Sequence, residues 1–187
     1  MPEQTPQTVK PLDILDPMIA GLICAGGSVL LIAAAYLFQY VGEMQPCELC
    51  LWQRPPHFAV AVIGLFAAWA GSTRRFSPNV TRGAVALAGL VLAIGAGIAI
   101  YHAGVEWKFW AGFPSCVGGD PNVLSSANDL FASRPVRCDE APWSLLGLSM
   151  AGWNALLSIA LAGYAFASAW PKGSKMDGDV EQKGASA

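Results

Sequence analysis

Met18–Tyr40 reads MIAGLICAGGSVLLIAAAYLFQY, 23 residues without a charge. A helix needs about 20 such residues to cross the hydrocarbon of a bilayer, so the stretch is predicted to span a membrane. Asp16-Pro17 before it offers a helix cap and a proline suited to the first helical position. Gly21 and Ala25, one turn apart, would let a second helix approach closely. Outward from this run lie three more of the same character, and the expected spans are 18–40, 55–71, 84–102 and 146–168. Gly89, Ala93 and Gly97 offer a second packing seam on the third. Of the 187 residues, 54% are hydrophobic and only 13% charged, against about 25% charged in ordinary globular domains. The expected fold is all-α and integral to a membrane, a four-helix bundle over 17–170. A polar tail at 1–16 precedes it, with no apolar core of a cleaved leader, and a disordered tail at 171–187 follows. The formal net charge of −2 argues nothing about nucleic acid, but no basic stripe exists to hold phosphates, so no nucleic-acid partner is expected.

The segments between the runs set the orientation. Ser72–Gly83 holds Arg74, Arg75 and Arg82 and no acidic residue, which places it in the cytoplasm together with both termini. The opposite compartment then receives the 41–54 link and the long loop from Ala103 to about Pro142. Those two segments carry Cys47, Cys50, Cys116 and Cys138, on the side where disulfides persist. Cys24 lies in mid-span, where a thiol acts as a small hydrophobe. Within the long loop, Asp120-Pro121 offers another helix start, and Val123, Leu124, Ala127, Leu130 and Phe131 recur on one helical face. That pattern predicts a short amphipathic helix on the membrane surface, with docking on a protein partner as the competitor.

The chemistry centres on Pro46-Cys47-Glu48-Leu49-Cys50-Leu51-Trp52-Gln53-Arg54. Two thiols separated by two residues can close a small ring and so form a redox couple. Arg54, one turn after Cys50, would share a helical face with that sulfur and favour its thiolate. A zinc half-site, two buried thiols or an arginine reaching for headgroups would also satisfy this stretch. Four thiols on an oxidising face suggest an electron relay in which soluble thiols reduce Cys116 and Cys138, which in turn reduce the Cys47–Cys50 disulfide. A pair at the head of a transmembrane helix is well placed for a lipid-soluble acceptor such as a quinone. His102, at the end of the third run, would lend a proton or a hydrogen bond, or would simply be satisfied by water or backbone.

Cys47-Glu48-Leu49-Cys50-Leu51-Trp52-Gln53-Arg54 resembles the C-x-x-C-x-x-x-R signature of the DsbB family of bacterial disulfide bond formation membrane proteins. Tyr101-His102, Cys138-Asp139-Glu140 and Trp143-Ser144-Leu145-Leu146-Gly147-Leu148-Ser149-Met150 are similar to that family too, in the same order. The resemblance covers Met18 to Ser168. It implies a thiol:quinone oxidoreductase of the bacterial inner membrane, with periplasmic cysteine loops. Such an enzyme reoxidises a periplasmic DsbA-like thioredoxin-fold oxidase and passes the electrons to ubiquinone or menaquinone. By position, Cys116 matches the thiol that forms the mixed disulfide with that oxidase, and Cys138 the thiol that exchanges with Cys47. Cys50 matches the thiol facing the quinone, with Arg54 and His102 as quinone-side residues. The Cys116–Cys138 loop differs from the best-known members in length and sequence, so a branch with a dedicated partner is the alternative. An enzyme like vitamin K epoxide reductase would carry its quinone-side C-x-x-C late in the chain. A zinc-stapled membrane scaffold would want a second close cysteine pair, and Cys116 to Cys138 is too wide for one.

Overall fold

The computed structural model describes residues 13–73, 75–114, 116 and 136–171. Its elements are α1 Pro17–Tyr40, α2 Glu48–Trp52, α3 Arg54–Ser72, α4 Pro78–Glu106, the strands β1 Ser144–Leu145 and β2 Leu148–Ser149, and α5 Met150–Ala169. Four helical stretches are long and apolar enough to cross a membrane: Pro17–Tyr40, Glu48–Ser72, Pro78–Glu106 and Met150–Ala169. The second combines α2 and α3. Pro55 and Pro56 bring no backbone N–H to the ladder, and the helix is interrupted at Gln53 just before them.

Helix starts follow local chemistry. The Asp16 carboxylate accepts the Met18 N–H at 2.8 Å, the Ser77 hydroxyl accepts that of Asn79 at 3.3 Å, and the Ser149 hydroxyl that of Gly152 at 3.1 Å. Each such cap stabilises its helix by about 1 kcal/mol. The Ser77 cap, followed by Pro78, starts α4 well before the expected residue 84, so Arg82 lies inside the helix and the connection shrinks to 73–77. At its other end α4 runs to Glu106 rather than 102, which puts His102 and Glu106 on one helical face. The last helix starts later than 146. Ser144 pairs with Ser149 and Leu145 with Leu148, around a two-residue turn at Leu146 (φ 54°) and Gly147 (φ 81°). Two positive φ angles match the twist of a tight hairpin, and glycine adopts its share at little cost.

The bundle closes as a ring: α1 packs along α3, α3 against α4, α4 along α5, and α5 returns to α1. Small residues face inward, among them Ala20, Ala67, Ala88 and Ala165, while Leu30, Val62, Leu65 and Ile94 face outward. That inversion suits a protein whose surroundings are as apolar as its core. The closest approach is Gly21 to Gly64. A Cβ on either would sit 2.7 or 2.5 Å from the other's carbonyl oxygen, and Ala25 completes the contact on α1. The seam expected on the third span is only partly there. Gly89 packs on Ala165 and Phe166, but Ala93 and Gly97 face outward. A four-residue step overshoots the helical repeat by about 40°, so each later member has rotated further off the face. The amphipathic helix expected at 120–131 and most of both tails lie outside the described residues.

Candidate active site

Cys47 is the N-cap of α2, its sulfur accepting the Cys50 N–H at 3.3 Å. Capping turns both side chains to one place, and the two sulfurs lie 2.9 Å apart as free thiols. Behind Cys47, Leu49, Val105, Cys116 and Cys138 form one buried cluster. Cys116 and Cys138 are joined by a disulfide, and the Cys138 N–H donates to the Cys116 carbonyl at 2.7 Å. The fold thus gathers all four loop cysteines, while Cys24 is fully buried in the separate core of the bundle. The loop pair, joined as a disulfide, offers no thiolate to a metal in this state. Ligand atoms of Cys47, Cys50 and His102 do lie within 4.8 Å of one another and could share an ion.

Asp139 anchors the loop pair to the end of α4. Its carboxylate takes two bonds from Arg137, at 2.9 and 2.7 Å, and one from Lys108 Nζ at 2.5 Å. Arg137 first, then Lys108, hold the Asp139 carboxyl well below the usual carboxylate range.

On the other side of the thiols, polar side chains run into the bundle. His102 Nε2 is 3.5 Å from Cys47 Sγ, and its ring also meets the Cys138 backbone. Gln53 Nε2 lies 2.8 Å from His102 Nδ1, Asn154 Nδ2 donates to Gln53 Oε1 at 2.6 Å, and His57 Nε2 lies 2.9 Å from Asn154 Oδ1. The chain has two histidines, and both belong to this one network. Buried polar groups in a membrane bundle are costly, so a continuous hydrogen-bonded set marks a working site.

The network lines a cavity of about 340 Å³ among α1, α3, α5 and the β1–β2 hairpin, within the range of about 300–1,000 Å³ typical of small-molecule sites. Leu31, Ala35, Phe38, Trp143, Trp153 and Leu157 make its walls apolar, and Cys50 opens onto it. Arg54 lies there as well, with its guanidinium bonded to α1. Its Nη2 donates to Gln39 at 2.8 Å, and the guanidinium stacks over Tyr36 at 4.7 Å. Its Nε is buried without a hydrogen-bond partner among the described residues. Glu106 closes the upper wall. Its side chain is 4% exposed, Oε2 accepts the Ser149 hydroxyl, and Oε1 is 3.8 Å from His102 Nε2.

All six residues expected at the site, Cys47, Cys50, Arg54, His102, Cys116 and Cys138, therefore lie together. The reading from sequence missed Gln53, His57, Glu106 and Asn154. An ionisable or amide side chain inside a predicted span is itself a signal, and His57 and Asn154 carried it, whereas Glu106 lay beyond the expected end of the third span.

The family model for the disulfide bond formation protein DsbB matches residues 18–168. Disulfide bond formation protein B of Xylella fastidiosa strain 9a5c is 33% identical, covering 75% of this chain and 80% of the relative. The proteins of the same name from Methylococcus capsulatus and Dechloromonas aromatica are 29% and 28% identical, covering 82% and 78% of this chain and 92% and 85% of theirs. No solved structure matches. With a match that runs from the first span to the last and takes in both cysteine pairs, the chain belongs to the DsbB family and is a multi-pass, disulfide-generating membrane oxidoreductase.

Proposed function

We propose that this oxidoreductase accepts electrons from a DsbA-like thioredoxin-fold oxidase at Cys116–Cys138, passes them to Cys47–Cys50 by thiol–disulfide exchange, and delivers them to a quinone in the cavity. The observation that carries the reading is the two-sidedness of the C-x-x-C pair. Cys47 packs against the loop disulfide and Cys50 opens onto the apolar cavity. One sulfur can meet a protein thiol while the other meets a lipid-soluble acceptor.

The cavity fits such a group. Its walls are apolar, and the unpartnered Arg54 Nε is a buried donor awaiting an oxygen. A bound quinone supplies a two-electron, two-proton acceptor. Arg54 would hold a ring oxygen and stabilise negative charge as it develops there. His102, through Nε2, would stabilise the Cys47 thiolate released by exchange. Apolar walls exclude water from the reacting sulfur. The cysteine loops would face the periplasm and both termini the cytoplasm of a bacterial inner membrane.

The order of the thiols is tested by trapping. Cys138→Ala should accumulate a mixed disulfide between Cys116 and the partner, because the resolving thiol is gone. Cys116→Ala should trap none through Cys138. Equal trapping on Cys47 with both loop cysteines removed would overturn the two-pair order.

A further inference from the structure

Closing the Cys47–Cys50 disulfide releases two thiol protons, and the group touching Cys47 is not arranged to take one. Gln53 Nε2 donates to the Leu49 carbonyl at 3.3 Å, which can only accept, and Gln53 Oε1 is occupied by the Asn154 amide. The amide orientation is thereby fixed, and Nε2 also faces His102 Nδ1 at 2.8 Å. Neutral His102 accepts there and carries its hydrogen on Nε2, the atom that faces Cys47. With that hydrogen facing the Cys47 sulfur and the Cys138 backbone, it has no lone pair on Nε2 with which to receive the proton.

Glu106 is placed for that task. Its Oε1 lies 3.8 Å from the same Nε2, and the Ser149 hydroxyl holds its other oxygen. It is the sole carboxylate among the described residues that line the cavity, which Cys50 and His102 line with it. The other titratable or charged groups around it are Cys47 and Cys50 from α2, His102 from its own helix, and Arg54 and His57 across the cavity from α3. From α5 and α1 the cavity receives only neutral polar groups, Asn154 and Gln39.

We propose that Glu106 accepts the Cys47 proton and hands it to an oxygen of the quinone as that quinone is reduced. The inference rests on the quinone reading above. In the balanced step two S–H bonds break and one S–S bond forms. Two electrons pass to the quinone, and two protons end on its two oxygens, one directly from Cys50 and one by way of Glu106. No proton is drawn from outside the site.

Two readouts test this on the full-length protein in detergent: alkylation of Cys47 against pH without quinone, and quinone reduction against pH. In Glu106→Gln a like charge is gone, so Cys47 should be alkylated at lower pH than in the wild type. Quinone reduction should nevertheless slow at least tenfold, within the range of about 10²–10⁴ typical of acid–base groups, and lose its acidic limb. Glu106→Asp should keep an acidic limb but move it, because the shorter acid titrates differently and sits farther from His102. Ser149→Ala, which takes a donor from the carboxylate but keeps the acid, should keep an acidic limb, though displaced from that of the wild type. Faster or unchanged quinone reduction in Glu106→Gln would overturn the proposal, as would a Ser149→Ala variant that reproduces its loss. If Glu106→Gln does not insert, an acidic limb that stays unmoved in Glu106→Asp would overturn it as well. A wild type that reduces no quinone would instead refute the quinone reading, which separates the two failures.

Discussion

Arg54 shows how a residue can be legible in type and not in geometry. A cation one turn after Cys50 implies help to that sulfur, yet the guanidinium lies on Tyr36 and Gln39 of α1, with one N–H left over beside the cavity. Sequence spacing gives the face of one helix but not which neighbouring helix supplies a better partner. Losing a charge-assisted hydrogen bond of about 1.5–3 kcal/mol should weaken quinone use by one to two powers of ten in Arg54→Gln. Arg54→Lys should recover little, because lysine lacks the planar fork that bonds Gln39 and stacks on Tyr36. The loss falls on quinone KM if Arg54 serves binding, and on kcat if it acts mainly in the transition state. Steady-state kinetics against quinone concentration separate these, and exchange between the cysteine pairs without quinone should survive. Equal loss of both steps would make Arg54 a structural strut. Cys24 is the converse case, read as inert and found in the bundle core. Cys24→Ala should retain turnover within a few fold, checked in the same assay.

Among the elements, the four long helices were plain from apolar runs, because hydrocarbon thickness imposes length directly. Their ends were not. The early start of α4 depends on a cap at Ser77, and the late start of α5 on a hairpin only two pairs long, too short for periodicity to reveal. The α1–α3 contact makes a sharp demand, since Gly64→Val must push its side chain into the Gly21 carbonyl and Ala25. Such overpacking should destabilise the bundle by about 1–3 kcal/mol, read as earlier unfolding in a detergent titration. Gly97→Ala meets nothing within 4 Å and should be silent. The segment carrying Cys138 has its own pH dependence. Asp139 is depressed in the folded protein, so its bonds contribute fully above the ordinary carboxylate value of about 3.9 and fade as pH falls below it. Reduction of Cys116–Cys138 by a phosphine should therefore accelerate as pH drops below about 4. In Asp139→Asn it should be fast and flat across that range, and identical profiles in the two proteins would show that the clasp does not guard the disulfide.

At the scale of the molecule, the bundle sets the loop disulfide against Cys47 on one side and an apolar cavity against Cys50 on the other. The four loop cysteines were legible because covalent chemistry needs those atoms. The Gln53–Asn154–His57 network was not, because its members come from two spans far apart in sequence and meet only through the ring of helices. The proposed orientation puts the 73–77 connection in the cytoplasm, and a reporter fused after Thr73 should be active only there. The central claim is that one chain couples a protein dithiol to a membrane quinone. Purified protein in detergent, given reduced DsbA-type partner and quinone, is the direct test. The account predicts one quinone reduced for each partner disulfide formed, abolished by Cys50→Ala. Partner oxidation that proceeds without matching quinone loss, or that survives Cys50→Ala, would contradict it.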